Sequence, residues 1–346
     1  MDQLDQIHFE NKLHHLTEWL QQKAPVAVAF SGGVDSGYLS LIAHRTLKEK
    51  GIAVTANSET FPPQELEICQ RVANEIGIKH HLITTKELEI KGFRANQVSR
   101  CYFCKQELYE KIRIYLKETP EYTLVDGSIA DDAFELRPGM QAAQDLGVWS
   151  PLRIAGLTKS EIRTHAKALG LSIWDKPALA CLSSRIPYGT EVTFDRLIKV
   201  REAEAFLKEL GWNQFRVRAY EAIAKLEIPL EAFARYFSQE NRLRQRFEEI
   251  GFTSLVLDLK GFRSGSMHEA FQMIPEAQRE ARAKQLWEET KLPGHIQQLA
   301  QLTLIQTSEP QRILDIREKL VDTFHRSGLP YLVLDGESVT IEERKI

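Results

Sequence analysis

One segment constrains this chain more than any other: Val26-Ala27-Val28-Ala29-Phe30-Ser31-Gly32-Gly33-Val34-Asp35-Ser36. A short apolar, β-prone run passes directly into a glycine turn, and then into a helical stretch from Tyr38 to Lys48. The glycines let the backbone turn sharply and approach a ligand closely. The N–H groups of the first helical turn then converge on one spot, where the helix dipole adds positive potential. Ser31 and Ser36 add hydroxyl donors. Such a unit holds phosphate oxygens. The lysine-containing G-x-x-x-x-G-K-[ST] loop of common nucleotide hydrolases is absent, so the loop belongs to another class.

The surrounding pattern repeats this alternation. Leu13, Leu16 and Leu20 give residues 1–23 the spacing of an amphipathic helix. Strand-like runs follow at Ile52–Ala56, His81–Thr84 and Tyr122–Val125, with a helix predicted from about Pro63 to Glu75. Thr158-Lys159-Ser160-Glu161 reads as a capping box opening a helix that stops at Gly170. Strands alternating with helices imply parallel βαβ units. The expected fold class is therefore α/β, a doubly wound parallel sheet, with a smaller α+β second domain.

Length sets the domain count. At roughly 150 residues per domain, 346 residues make about two domains with a small third. The expected division is 1–187 for the domain that carries the phosphate loop, 188–273 for an α+β domain and 274–346 for a C-terminal extension without an assigned role. In the second domain, helices are predicted at Arg196–Leu210 and Leu230–Ile250, and strands at Gln214–Ala219 and Ser254–Leu259. The tail contains Leu332-Val333-Leu334-Asp335, which echoes Leu255-Val256-Leu257-Asp258. A duplicated helix–strand unit would explain the echo; two buried strands sharing a common apolar tetrapeptide is the favoured reading.

Charge and cysteine usage exclude several classes. Lys and Arg number 45 against 48 Asp and Glu, a net charge of −3. Proteins that grip nucleic acid through phosphate neutralisation usually carry a basic excess. The longest apolar stretch, around Pro25–Phe30, is far below the roughly 20 residues that span a bilayer. Met1-Asp2-Gln3-Leu4-Asp5 carries no secretory pattern, and four cysteines are too few for a disulfide framework. A cytoplasmic protein without membrane or nucleic-acid partners is expected; the oligomeric state is left open, with a homo-oligomer compatible.

Cys101-Tyr102-Phe103-Cys104 is a lone C-x-x-C with basic neighbours, Arg100 and Lys105, and no second pair to complete a zinc site. Cys69 reads as a small buried apolar residue. Cys181 sits in Ala180-Cys181-Leu182-Ser183-Ser184-Arg185-Ile186-Pro187-Tyr188-Gly189.

Ser31–Ser36 resembles the pyrophosphate loop of the PP-loop ATP pyrophosphatases, which adenylate an oxygen and release pyrophosphate. Asn96–Lys105, Asp126-Gly127-Ser128-Ile129-Ala130-Asp131-Asp132, Arg137-Pro138-Gly139, Ala180–Gly189 and Gly261-Phe262-Arg263-Ser264-Gly265-Ser266-Met267 narrow the match. Over about residues 10–270 the chain resembles the LarE-type sulfur transferases of nickel-pincer cofactor assembly. The resemblance implies ATP and Mg2+ as cofactors and a mononucleotide substrate, pyridinium-3,5-biscarboxylic acid mononucleotide, whose carboxylates become thiocarboxylates. It implies that Ser31, Gly32, Gly33, Asp35 and Ser36 hold the pyrophosphate end of ATP, with Asp131 and Asp132 near its magnesium. It implies that Ser184 and Arg185 orient the acyl-adenylate, that Arg216 and Arg218 take the substrate phosphate, and that Glu204 handles a metal or proton. In one subtype of the family a single cysteine, matching Cys181, gives up its own sulfur. In another, three cysteines hold a 4Fe–4S cluster; Cys101, Cys104 and Cys181 match all three, which favours that subtype. Three thiolates leave one iron without a protein ligand. The sulfur source is not given by the sequence. The rival reading is a tRNA thiolase of the same superfamily, against which the net charge of −3 argues.

Overall fold

The computed structural model describes residues 3–118, 122–134, 138–177, 181–263 and 265–335. Arg137, Ala180 and Ser264 of the motifs above lie outside the described residues. The chain forms two compact units, Met1–Leu182 and Ser183–Ile346.

The first unit runs α1 (Gln3–Gln22), β1 (Val26–Ala29), α2 (Val34–Leu47), β2 (Gly51–Asn57), α3 (Pro63–Ile76), β3 (Lys79–Thr84), α4 (Lys91–Arg94), α5 (Arg100–Tyr115), β4 (Thr123–Val125), α6 (Pro138–Asp145), α7 (Pro151–Ile154) and α8 (Lys159–Ala168). Its sheet is parallel throughout, in the order β3-β2-β1-β4. The four residues of β1 show why it is doubly wound. Val26 and Val28 join one core with Leu16, Leu20, Tyr38, Leu39, Val72 and Ile162. Ala27 and Ala29 join the other with Tyr109 and Ile112 of α5. A strand covered on both faces is apolar throughout, which is how Val26–Ala29 reads. The Thr158 capping box forms as expected. The strand order reverses between β1 and β4, so the carboxyl ends of these two strands flank the switch point where open α/β sheets bind ligands.

The second unit runs α9 (Phe194–Glu209), β5 (Arg216–Tyr220), β6 (Ile223–Glu227), α10 (Phe233–Ile250), β7 (Ser254–Asp258), α11 (Glu276–Thr290), β8 (His295–Leu299), β9 (Leu302–Gln306), α12 (Pro310–Asp315), α13 (Arg317–Arg326) and β10 (Leu332–Asp335). One mixed sheet orders them β5-β6-β7-β10-β9-β8. The order is palindromic, and so is the pairing. β5–β6 and β8–β9 are antiparallel hairpins; β6–β7 and β9–β10 are parallel; β7 and β10 meet antiparallel at the centre.

Finer features repeat as well. Both hairpins turn through two residues whose first has positive φ, Glu221 at 53° and Ala300 at 51°. Both returning helices end at a left-handed glycine, Gly251 and Gly328, followed by the same closing bond, Phe252 N–H to the Phe247 carbonyl and Leu329 N–H to the Phe324 carbonyl. The two Leu-Val-Leu-Asp segments occupy equivalent places in two copies of one helix–hairpin–helix–strand unit, related as by a two-fold axis. The echo in the tail marks a repeat, against the favoured sequence reading of a shared tetrapeptide.

Strand β6 has no counterpart in the sequence reading. Ile-Ala-Lys-Leu-Glu breaks the apolar pattern because Lys225 and Glu227 are wholly buried in it.

Candidate functional site

In the first unit, β1 delivers the chain into the turn 31–33. Gly32 has φ 71°, and a Cβ there would stand 2.7 Å from the Cys69 sulfur. Glycine is required both by conformation and by space. Gly33 caps α2 with extended backbone and no side-chain bond, leaving the first-turn N–H groups uncapped by a side chain. The Ser31 N–H donates to Ser36 Oγ at 3.2 Å, and the two hydroxyls lie 3.1 Å apart. Cys69 is buried in the core behind this turn, and burial pushes its thiol up to about 11.

The loop after β4 closes on the same place. A Cβ on Gly127 would stand 2.8 Å from the Ser36 backbone nitrogen, so this loop packs directly on the first turn of α2. Asp126 organises it, accepting from Ser150 Oγ (2.7 Å), Ser128 Oγ (3.0 Å) and Tyr109 Oη (3.0 Å). Asp131 Oδ2 accepts from the Lys159 N–H, and Asp132 Oδ2 from the Ile129 N–H. Asp35 is bridged by Lys159 Nζ at 2.8 and 2.6 Å. Burial raises the Asp35 carboxyl above its ordinary range, Lys159 opposes that rise, and Asp132 adds to it. Lys176 Nζ donates to the Gly32 carbonyl (2.9 Å) and pairs with Glu65.

Lys159 and Lys176 contact the glycine loop and Asp35 in this candidate site, and the sequence reading did not single them out. Lysine is common on any surface, and only their positions, one inside the capping box and one four residues before Ala180–Gly189, could have singled them out.

The cysteines lie in this unit too. α5 crosses from β3 to β4 and therefore starts at the carboxyl edge of the sheet. Cys101 falls in its first turn and Cys104 opens the second, three residues on and on the same face. Cys101 and Cys181 are exposed and Cys104 is half-buried. Burial pushes the Cys104 thiol far up, and the charges of Cys181, Glu87 and Cys101 push it further. Cys181 thus stands within electrostatic reach of Cys104 although 77 positions separate them. Three thiols are the right donor chemistry for an iron–sulfur cluster. Among the described residues, no three His, Cys, Asp or Glu side chains already close on one metal position.

The second unit holds the other expected residues. Arg185 forms a bidentate pair with Glu204 (2.9 and 3.2 Å) and donates to Ser184 Oγ at 3.0 Å. Glu204 also accepts from the Val217 N–H. The expected metal or proton role of Glu204 thus meets a carboxylate that clamps Arg185 to β5. Arg218 is committed as well, to Glu227 (3.1 and 3.0 Å), Ser266 Oγ (2.9 Å) and the Ser184 carbonyl (2.7 Å). Lys225 Nζ lies 2.6 Å from Asp258 and 3.0 Å from Glu227. Burial alone would raise the Glu227 carboxyl, but Lys225 and Arg218 outweigh it and hold it well below the ordinary range.

Arg216 differs from its neighbours. It stacks on Phe262 (4.7 Å) and donates to the Arg263 carbonyl, and among the described residues no carboxylate pairs with it. Burial and the charges of Arg218 and Arg185 lower its pKa, and the charges of Glu227 and Glu204 only partly oppose that. Of the two arginines expected to take phosphate, Arg216 has the uncommitted charge and Arg218 holds the framework.

Comparison with known proteins places this geometry in a family. The asparagine synthase family model matches residues 14–96, the stretch containing β1, the phosphate loop and β3. An uncharacterized protein of Synechocystis sp. is 39% identical over 261 residues, 75% of this chain and 97% of that protein. An uncharacterized protein of Methanocaldococcus jannaschii is 29% identical over 262 residues, 74% of this chain and 99% of that protein. The pyridinium-3,5-bisthiocarboxylic acid mononucleotide synthase of Lactiplantibacillus plantarum is 34% identical over 245 residues, 70% of this chain and 89% of that protein. With its phosphate loop at the switch point of a parallel sheet, the chain belongs to the LarE-type ATP-dependent sulfur transferases of the PP-loop superfamily.

Proposed function

We propose that the enzyme adenylates the carboxylates of pyridinium-3,5-biscarboxylic acid mononucleotide and exchanges a carboxylate oxygen for sulfur. The observation that carries this reading is the packing of the Asp126–Asp132 loop on the Ser31–Ser36 loop, in the same unit as Cys101, Cys104 and Cys181.

A substrate carboxylate oxygen attacks the α-phosphorus of ATP, the bond to the β-phosphate oxygen breaks, and pyrophosphate leaves. A sulfur nucleophile then adds to the acyl carbon, and the carbon–oxygen bond to AMP breaks. Two anions must meet in the first step. The uncapped N–H groups of α2, the Ser31 and Ser36 hydroxyls, and Lys159 beside Asp35 relieve that repulsion. Asp35, Asp131 and Asp132 supply the oxygen ligands that ATP-bound magnesium prefers. Arg216 receives the mononucleotide phosphate, while Ser184 and Arg185 are fixed beside it by Glu204 and Arg218.

Cys101, Cys104 and Cys181 would hold a 4Fe–4S cluster, whose fourth iron supplies a site for hydrosulfide. The exposure of Cys181 equally suits the second reading, in which its own sulfur is transferred. Anaerobic reconstitution followed by iron and sulfide assay separates the two. Iron bound by the native chain and lost on Cys104→Ser supports the cluster. An iron-free chain whose Cys181 has lost sulfur after one turnover supports donation by the cysteine.

A further inference from the structure

Tyr188, His268 and Phe271 form an aromatic surface in the second unit that the anion-holding residues leave unused. The ring centroids lie 6.0, 5.5 and 6.1 Å apart, with interplanar angles of 10°, 26° and 17°. Three nearly equal separations put the rings at the corners of a triangle, not in a column. Near-parallel planes at these separations overlap like shingles, a stepped floor of offset-stacked rings with more than half of Phe271 open to solvent. Tyr188 Oη lies 3.3 Å from His268 Nε2, and the Tyr188 carbonyl accepts from Gln301 Nε2 of the second repeat. His268 is exposed, and Phe271 is 58% exposed.

Both segments that carry the floor come from the anion set. Tyr188 follows Ser184 and Arg185 by a few residues. His268 is two residues past Ser266, whose hydroxyl accepts from Arg218. Two residues of chain span at most about 7 Å. An exposed, electron-rich ring surface in the same unit as Arg216, whose cation no described carboxylate pairs, matches a ligand with a flat cationic ring at one end and a phosphate at the other. Electron-rich ring faces attract cations, and ring-on-ring stacking adds contact area.

We propose that this floor binds the pyridinium ring of the substrate mononucleotide while Arg216 holds its phosphate. The assignment rests on the function proposed above and adds a ring subsite to it. The floor selects an aromatic cation over a bare sugar phosphate, with Phe271 as the outermost tile.

Nicotinic acid mononucleotide and ribose 5-phosphate, titrated calorimetrically against the full chain, test this. Phe271→Ala should weaken the pyridinium mononucleotide about tenfold, the size of one stacking contact, and leave ribose 5-phosphate unchanged. Phe271→Trp should retain binding and show indole fluorescence quenched by the pyridinium ligand. Equal affinity of native and Phe271→Ala chains for the pyridinium ligand would overturn the ring site while leaving the proposed function standing. Equal weakening of both ligands would overturn it too, since the ring contributes nothing to ribose 5-phosphate. A native chain that binds neither ligand, or an Arg216→Ala chain that binds both as well as the native one, would overturn the proposed function itself.

Discussion

The ring of Tyr331 lies 4.5 Å from the ammonium of Lys225, and its single hydroxyl proton is shared between the carbonyls of Ser266 (2.8 Å) and Met267 (3.0 Å). Tyr331 belongs to the second repeat and Lys225 to the first. The tail therefore supports the loop whose Ser266 hydroxyl meets both Arg218 and Glu227. Tyr331→Phe keeps the ring and loses this shared hydrogen bond. Two buried carbonyls left short of a donor cost about 1–3 kcal/mol, measurable by chemical denaturation. The KM for the mononucleotide should rise while kcat stays near the native value.

Glu227 lies between Lys225 and Arg218 in a fully buried network. Glu227→Gln leaves both cations undercompensated and should cost about 3–5 kcal/mol. The pH dependence has a definite sign. The folded Glu227 carboxyl titrates below its ordinary value of 4.5, so its stabilisation is fully present above that pH. It is lost as pH falls from 4.5 through the depressed folded value. Denaturation midpoints against pH should show that acid-side loss in the native chain and a shallower one in Glu227→Gln.

Asp35 carries the opposite shift. Its carboxyl is raised by burial, so ionising it at neutral pH costs stability, and that cost grows as pH rises above the ordinary value of 3.8. Asp35→Asn should melt at or slightly above the native temperature near pH 7. It should lose at least tenfold in ATP-dependent pyrophosphate release. A scan in the absence of nucleotide checks the first part, and a pyrophosphate assay the second.

The nucleotide and sulfur half-reactions should separate by mutation. Cys181→Ala and Cys104→Ala should retain mononucleotide-dependent pyrophosphate release within a few-fold of native and form no thiocarboxylate. Mass spectrometry of the product measures the sulfur step.

The phosphate loop, the two-faced sheet and the Thr158 cap were legible because each follows from local residue pattern: apolar run, glycine turn, hydroxyl three residues before glutamate. Strand β6 was illegible because its inward side chains are ions stabilised only by distant partners. The repeat was nearly illegible because its two copies kept little beyond shape and a closing tetrapeptide. Across the first hairpin Arg216 faces Glu227 and Arg218 faces Lys225; across the second, His295 faces Gln306 and Gln297 faces Leu304. The charges that hold the first copy are absent from the second at these positions. Within the site, the residue types were legible but their division of labour was not. Only the pairing of Arg218 with Glu227, and of Arg185 with Glu204, reveals Arg216 as the arginine with charge to offer.

The most direct test incubates the full chain anaerobically with ATP, magnesium, sulfide and pyridinium-3,5-biscarboxylic acid mononucleotide, and follows products by mass spectrometry. One AMP and one pyrophosphate should appear for every carboxylate converted to thiocarboxylate, and omission of the mononucleotide should stop both. AMP formed without sulfur in the mononucleotide, or at the same rate without it, would contradict the account.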